Sequence, residues 1–409
     1  MDNNRQLLAS ILSAAIRNKK TDISMQNADI RELFVLAKHH QVESLTYPLI
    51  KEVYKSKRNA EKKILEIWKN DALKQALKQN RYMEGTTKVV RALADAGIPV
   101  IALKGIVLKD FYPKPEMRSM MDVDFLIKDI HMNSVIKILR KIGYHKKASD
   151  NKHTTLASPR HLFIELHTGL VKERFIDKAA QWEKSIWDRC IDYNFNGVSM
   201  LTLSLEDHLV YLCIHLANHL VSSGFGLRQL CDLVVFVEKN NNKIDWLDFI
   251  KKTEELGIRQ FVITLIQICN RLFDLKVPES FRLNTVEDNN LGQFIEYIFS
   301  GGVFGKNETN RIIGSYYINA MGKAKIETIP GVFKRSMILL FPPYRYMCNK
   351  YKYLIKVPIL LPILWFHRIV INVFKREKVS VHKFDFKSLS RSNSQFEEQY
   401  KLLKWMELI

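Results

Sequence analysis

The run MDVDFLI at residues 121–127 constrains the fold most, because it places two acidic residues inside an apolar segment. Alternate residues of a β-strand share a face, so Asp122 and Asp124 point to one side while Val123 and Phe125 point to the other. Two neighbouring carboxylates repel each other, and a bound divalent cation removes that penalty. The run therefore predicts a strand that buries one face and offers a carboxylate pair on the other.

A third acidic residue, Glu165, lies in the apolar run HLFIELHTG at residues 161–169. On a strand it shares a face with Phe163 and His167. If this strand lies beside residues 121–127, three carboxylates converge, which is the ligand set of paired metal ions in phosphoryl and nucleotidyl transfer. The alternative for Asp122 and Asp124 is an exposed strand end without a metal, and His167 either orients a substrate or only completes its strand.

Residues 97–170 have the pattern of a small α/β unit. An apolar strand (98–105) is followed by a helix, IVLKDFY, and by a Pro-broken loop, PKPEMRSM, before the strand 121–127. Residues 129–144 have helical periodicity and end at Gly143, a residue common just past the end of a helix. Residues 152–157 and 161–169 then read as two strands of a hairpin around Ser158-Pro159.

Helical periodicity dominates both sides of this unit. The chain accordingly divides into a helical N-terminal region (1–96), the core (97–170), a helical C-terminal domain (171–330) and a basic, aromatic tail (331–409). The predicted fold class is α+β, with a small mixed β-sheet core flanked by helical N-terminal and C-terminal regions.

Several short motifs together resemble a known superfamily. LKG, a loop containing Arg118, MDVDFLI, a helix ending in GY, and IELH resemble the polymerase-β-type nucleotidyltransferases. Within that superfamily the chain is most similar to the bacterial "uncharacterised nucleotidyltransferase" family. The resemblance continues into HLANHL and LRQLCDL and, weakly, LLFPPYRYM, so that it covers most of residues 30–345 with a specific core at 98–170.

The resemblance implies a metal-dependent enzyme that moves a nucleoside monophosphate from an NTP such as ATP to an acceptor hydroxyl. It implies Mg²⁺ or Mn²⁺ as the cofactor, bound by the catalytic residues Asp122, Asp124 and Glu165. Members of this family often lie among genes for surface polysaccharides or peptide modification, which implies a saccharide, a small molecule or a peptide as the acceptor.

The resemblance also assigns nucleotide binding to Lys104, Gly105 and Arg118. In the superfamily a strand ends in two small residues, and a helix N-terminus then holds the phosphates. Here Lys104-Gly105-Ile106 takes that place and the second small residue is absent. Lys104 either supplies charge to the phosphates or is a solvated strand end. Arg118 either clamps the triphosphate or is a loop arginine in solvent.

Five residues outside the carboxylate cluster are expected near the cleft. His215 and His219 have the i, i+4 spacing of zinc ligands, but no HExxH pattern accompanies them. The resemblance instead implies that they line the cleft or cap a helix contact, and it places Arg228 and Asp232 on the helical domain facing the nucleotide. His167 joins this group because it shares the strand face of Glu165. The alternative for Arg228 and Asp232 is a helical i, i+4 ion pair worth about 0.2–0.5 kcal/mol.

The charge of the chain, +20 from 63 basic and 43 acidic residues, favours polyanionic partners. Ten basic residues and one acidic residue lie between Val332 and Ser380, around the uncharged run VPILLPILWF (357–366). A spanning helix needs about 20 apolar residues, so this run is too short to cross a bilayer. It fits an anionic membrane interface, a buried hairpin packed on the helical domain or, as the third alternative, a nucleic-acid patch.

The five cysteines are scattered without a CxxC pair, and the N-terminus lacks the basic start of a signal peptide. Both features predict a cytoplasmic protein, with peripheral contact at the inner face of the membrane left open. Two rival functions also stay open: a toxin-like nucleotidyltransferase that acts on RNA, and a non-catalytic binding protein with this fold.

Overall fold

The computed structural model describes most of the chain, and every statement below concerns the residues it covers. These are residues 2–19, 28–53, 59–149, 152–159, 162–171, 179–222, 224–277, 288–302, 337, 340–374 and 393–409. The basic residues Lys334, Arg335, Lys375, Arg376 and Lys378, and the polar stretch 379–392, lie outside the described residues.

One mixed sheet contains all seven strands of the described chain. They are β1 (Val100–Ala102), β2 (Asp122–Ile127), β3 (His145–Ser149), β4 (His153–Ala157), β5 (Phe163–His167), β6 (Ile191–Phe195) and β7 (Val198–Thr202). Their order in the sheet is β3-β4-β5-β2-β1-β7-β6. Strand β2 runs antiparallel to β1 and parallel to β5, and β1 runs parallel to β7. The predicted α+β class and the β4–β5 hairpin are confirmed.

Helices precede and follow the sheet. Before β1 lie α1 (Asn3–Ala15), α2 (Ile30–His39), α3 (Glu43–Val53) and α4 (Asn59–Asp95). Within the sheet region lie α5 (Gly105–Leu108), α6 (Met132–Lys141), α7 (Ala179–Lys184) and α8 (Ile186–Arg189). After β7 come α9 (Leu205–Ser222), α10 (Leu227–Asn240), α11 (Trp246–Glu255), α12 (Arg259–Phe273) and α13 (Asp288–Gly301). The last described helices are α14 (Tyr344–Lys350), α15 (Leu361–Phe374) and α16 (Asn393–Trp405).

The region 171–330, predicted to be mostly helical, also contains the β6–β7 hairpin, which extends the sheet beyond residue 170. Its turn is Asn196-Gly197, and both residues have positive φ, 49° and 80°. Two-residue hairpin turns favour this dipeptide for that reason. Strand β3 was also missed, because its five residues are all exposed and carry no apolar alternation.

The two faces of β2 belong to different hydrophobic cores. Val123, Phe125 and Ile127 pack in the core between the sheet, the end of α4 and α6. Leu126, on the same face as the two aspartates, packs instead in the large core formed by the N-terminal and C-terminal helices. The carboxylates of β2 therefore face the helical part of the molecule.

The described helices include none with the length and apolar character needed to cross a membrane. All five cysteines lie in described regions and are free thiols. The segment from α14 to α15 has a small apolar cluster of its own, built from Met347, Cys348, Leu354 and Leu364.

Candidate active site

The three acidic residues come together through the parallel pairing of β2 with β5. Asp124 lies directly opposite Glu165, and Asp122 lies opposite Phe163. Side chains alternate along both strands, so Asp122, Asp124 and Glu165 share one face of the sheet. Asp124 is buried, Glu165 is half-buried, and Asp122 is exposed at the start of β2.

Two groups of the chain itself hold the carboxylate of Asp124. The Nζ atom of Lys104 lies 3.0 Å from Asp124 Oδ1, and Nε2 of His167 donates to the same oxygen at 2.9 Å. Burial by itself would raise the pKa of Asp124, but the Lys104 ammonium and the His167 hydrogen bond bring it below its ordinary value. Asp124 is therefore ionised at neutral pH, and one of its oxygens is already bound.

The surroundings of Asp122 shift its pKa in the opposite direction to that of Asp124. Reduced solvation in the cleft, followed by the charges of Asp124 and Glu165, raises its pKa to about 6, although part of the residue contacts solvent. The negative charge of this cluster is thus incompletely balanced at Asp122. A divalent cation with oxygen ligands fits this position, because it would neutralise the excess charge.

Lys104 has a backbone conformation that usually belongs to glycine. Its φ is 42°, which places it in the left-handed region just before α5. Its side chain is only 13% exposed and pairs with Asp124, so the interpretation as a solvated strand end is wrong. Gly105 follows in tight packing, because a Cβ there would lie 2.7 Å from Arg118 Nη1 and 2.8 Å from Met120 Sδ.

Arg118 is not a solvent-exposed loop residue either. Its Nε and Nη2 atoms each donate to the carboxylate of Asp232 at 2.7 Å, and all of this pair is buried. The hydroxyl of Tyr112 donates to the same carboxylate at 2.8 Å. Arg118 thus joins the loop before β2 to helix α10, and its Nη1 edge lies against Gly105.

The expected i, i+4 pair between Arg228 and Asp232 is replaced by other contacts. Because Asp232 binds Arg118, the guanidinium of Arg228 donates through Nη1 to Gln41 Oε1 at 2.6 Å and to the Ser119 carbonyl at 2.9 Å. Burial and the neighbouring Arg118 lower the pKa of Arg228. Helical spacing offers Asp232 as the partner of Arg228, but in the folded protein Arg228 bonds to Gln41 and Ser119 instead.

The two histidines of α9 contact each other. Their Nε2 atoms are 2.9 Å apart, so one ring donates to the other. Burial, then the charge of Lys104, holds the pKa of His215 well below its ordinary value. In the described part of the chain no third histidine, cysteine or acidic residue joins them in a metal-binding group. His215 lies near the charged cluster as a neutral side chain.

Sequence reasoning missed three residues of this site: Tyr112, His153 and Tyr211. The ring of Tyr211 lies 5.7 Å from Lys104 Nζ, and His153 Nε2 lies 3.1 Å from Glu165 Oε2. His153 had a detectable signal, since it begins the strand predicted to pair with that of Glu165. The two tyrosines had none, because only the packing of distant segments brings them here.

Residues 26–274 match the family described as "Uncharacterised nucleotidyltransferase". Since this match spans more than half of the chain, the protein belongs to that family. It is a nucleotidyltransferase. No curated protein matches its sequence.

Two solved structures are similar to part of the chain. One is the crystal structure of the lincosamide antibiotic adenylyltransferase LnuA bound to lincomycin, with 12% identity, 37% of this chain and 94% of that chain covered, and a TM-score of 0.28. The other is the solution structure of the antibiotic-resistance factor ANT(2'')-Ia, with 10% identity, 43% and 94% covered, and a TM-score of 0.32.

Proposed function

We propose that this protein transfers a nucleoside monophosphate from an NTP to an acceptor hydroxyl in a metal-dependent reaction. The observation that carries the proposal is the placement of Asp124 opposite Glu165, with Asp122 on the same sheet face. Three carboxylates on one face of a sheet match the needs of nucleotidyl transfer, in which catalysis consists mainly of positioning and charge neutralisation.

Asp122, Asp124 and Glu165 are the residues that would hold Mg²⁺, or Mn²⁺ in its place. Bound there, such ions neutralise phosphate charge and lower the pKa of an acceptor hydroxyl. Asp122 and Asp124 serve the nucleotide side, and Glu165 serves the acceptor side because it lies on the neighbouring strand. The hydroxyl attacks the α-phosphorus, and pyrophosphate leaves.

Lys104 and Gly105 form the phosphate-binding side of this proposal. Lys104 carries a positive charge beside the carboxylates, and Gly105 lets the turn pack against Arg118 and Met120, where a Cβ would clash. Arg118 has an indirect part, because Asp232 binds two of its nitrogens. Its remaining edge supports Gly105, which makes it a positioning residue for the phosphate-binding turn.

The acceptor we favour is a small molecule or a saccharide, as the family resemblance implies, with a peptide as the further candidate. Transfer to RNA is the alternative, and the charge of +20 suits it. Binding of RNA that weakens steeply with salt would favour that alternative. Absence of any NTP or metal binding would favour the third possibility, a binding protein without catalysis.

The test is incubation of purified protein with each α-labelled NTP, Mg²⁺ and host lysate, followed by identification of the labelled product. Label should pass to a small molecule or glycan in the wild type and should not pass with Asp124→Asn. Label in RNA would replace the favoured acceptor with the alternative. Absence of transfer from all four NTPs, with and without Mn²⁺, would overturn the proposal.

A second proposal concerns membrane contact at the C-terminal segment. Its small apolar cluster leaves Ile359, Ile363 and Phe366 on the surface, at 81%, 62% and 70% exposure. Ile363 and Phe366 are three residues apart on α15 and so share one face, and Ile359 lies in the 3-10 turn just before this helix. The lysines and arginines near them in sequence complement an anionic lipid surface, each contributing about 1 kcal/mol.

The alternative was a buried hairpin packed on the helical domain, and the inward side chains of the segment pack in its own small cluster. Leu364 is buried, and Leu360 and Leu361 are half-buried. Trp365, which was expected to enter the interface, turns inward and donates its indole N–H to the Pro342 carbonyl at 2.9 Å. Peripheral contact at the inner face of a membrane would bring the enzyme close to lipid-linked acceptors.

A further inference from the structure

Beside the carboxylates, two imidazoles extend the polar face of the sheet. His153 on β4 lies directly opposite His167 on β5, and Glu165 lies two residues from His167 on the same face. The two rings are close, with centroids 4.9 Å apart. The antiparallel register of β4 with β5 therefore brings two nitrogen ligands and one oxygen ligand together at the edge of the cleft.

The distances within this group suit a metal ion. Donor atoms of His153, Glu165 and His167 all lie within 4.8 Å of one another. His153 Nε2 is 3.1 Å and His167 Nε2 is 3.8 Å from Glu165 Oε2. Bonds of about 2.0–2.1 Å at tetrahedral angles place the ligand atoms about 3.3 Å apart. The observed distances bracket that value, so small side-chain movements suffice.

The carboxylate trio does not form such a group. Among the described residues, Asp122, Asp124 and Glu165 are not a set whose donor oxygens all lie within 4.8 Å of one another. The two groups also differ in chemistry, because carboxylates suit Mg²⁺ whereas imidazoles suit zinc and related transition metals. Asp124 belongs to the carboxylate trio and also contacts the other group, because its Oδ1 accepts a hydrogen bond from His167 Nε2.

We propose that His153, Glu165 and His167 form a second site, which shares Glu165 with the carboxylate trio, for a transition-metal ion of the zinc class. Two histidines and one glutamate with an open fourth position are the ligand set of many catalytic zinc sites. The side chains are 29%, 25% and 16% exposed, so an ion reaches them from the cleft. Without an ion the same atoms form a protein-only hydrogen-bond network, which is the competing explanation.

Cobalt tests this directly, because Co²⁺ replaces Zn²⁺ and absorbs visible light much more strongly in a tetrahedral site than in water. The full-length, metal-stripped protein is titrated with Co²⁺ in excess Mg²⁺ and without nucleotide. The expected result is one saturable Co²⁺ site that Mg²⁺ does not displace and Zn²⁺ does. His153→Ala and His153→Gln should each weaken it by at least about tenfold, the smallest loss expected when even an outer partner of a metal ligand is removed.

His145→Ala is the matched control, since this histidine is exposed on the neighbouring strand β3 and lies outside the group. It should bind Co²⁺ as the wild type does. Circular dichroism checks that the His153 variants are folded. Displacement of Co²⁺ by Mg²⁺, or equal affinity in wild type and both folded His153 variants, would overturn the proposal.

The outcome is separable from that of the proposed function. Nucleotidyl transfer with Mg²⁺ but no Co²⁺ site would remove the zinc-class site and leave the enzymatic proposal standing. A Co²⁺ site without transfer from any NTP would remove the enzymatic proposal and leave the zinc-class site standing.

Discussion

Asp232 receives both parallel N–H bonds of the Arg118 guanidinium, each 2.7 Å long, inside the protein. The contact joins two segments that are 114 residues apart in sequence. It also holds the side chain against which Gly105 packs. A buried ion pair thus couples the helical domain to the turn that is proposed to bind phosphate.

Asp232→Asn should destabilise the protein by about 3–5 kcal/mol, because it leaves the Arg118 charge buried without a counter-ion. Arg118→Met should cost a similar amount for the converse reason. The double variant should cost clearly less than the sum of the two, since it removes both charges while the introduced amide oxygen still accepts from Tyr112. Denaturant unfolding of all four proteins measures this coupling, and additive losses would contradict it.

Asp122→Asn and Asp124→Asn should each abolish metal-dependent NTP turnover, yet they should change stability in opposite directions. Asp124→Asn leaves the buried Lys104 ammonium unpaired and should lower the melting temperature. Asp122→Asn removes a carboxylate whose pKa is raised to about 6, and this variant should have a higher melting temperature than the wild type. A carboxylate with a raised pKa destabilises the folded protein when it is ionised, which is above that pKa. The stability gained by Asp122→Asn should therefore be full above about pH 6 and vanish towards pH 4.

These two variants are compared with wild type by thermal unfolding across pH and by turnover at saturating NTP. Full activity in either variant would refute the site assignment. A melting temperature for Asp122→Asn that stays below wild type at pH 8 would refute the electrostatic argument.

Glu165→Gln should keep NTP binding and lose transfer, because the residue lies on the strand that serves the acceptor side. Binding is measured by calorimetry with a non-hydrolysable NTP analogue, and transfer by the labelled-product assay. A variant with weak NTP affinity but normal turnover at saturation would show that Glu165 belongs to the nucleotide side instead.

His40 should make the protein sensitive to acid. Burial, followed by the charge of His39, lowers its pKa to about 3, and its Nδ1 accepts from the Leu227 amide at 3.2 Å. A histidine with a lowered folded pKa takes up its proton in the unfolded state first, so stability falls as pH drops below about 6.5. We expect a loss of about 2–3 kcal/mol by about pH 4 from this residue.

His40→Asn retains an acceptor for Leu227 and cannot be protonated, so it should flatten that part of the pH profile. His145→Asn, at an exposed position, is the control and should leave the profile unchanged. Equal slopes for wild type and His40→Asn between pH 6.5 and pH 4, in denaturant unfolding, would contradict the assignment.

The exposed apolar side of the C-terminal segment should bind anionic vesicles at low salt. Ile359→Asp combined with Ile363→Asp should leave the protein in the supernatant after sedimentation, because both side chains are then charged at the lipid surface. Ile130→Asp is the control, since Ile130 is 80% exposed elsewhere on the molecule. If wild type itself stays in the supernatant at low salt, membrane contact should be dropped.

The carboxylate face of the site follows from the sequence alone. Strand alternation in residues 121–127 and 161–169 places Asp122 with Asp124 and Glu165 with His167, whatever surrounds the strands. The helices on either side of the core are equally local, because their apolar periodicity requires no distant partner. The β6–β7 turn was readable too, from Asn196-Gly197, but the helical periodicity around it dominated the interpretation.

Only the tertiary structure decided which charged groups meet. Arg228 and Asp232 are one helical turn apart, but Asp232 pairs with Arg118 because burial favours the partner with bidentate geometry. The register of β5 on β2 and β4 placed Glu165 beside Asp124 on one side and brought His153 opposite His167 on the other. Periodicity specifies the face on which a side chain lies, whereas its partners depend on long-range packing and on the cost of leaving a buried charge unpaired.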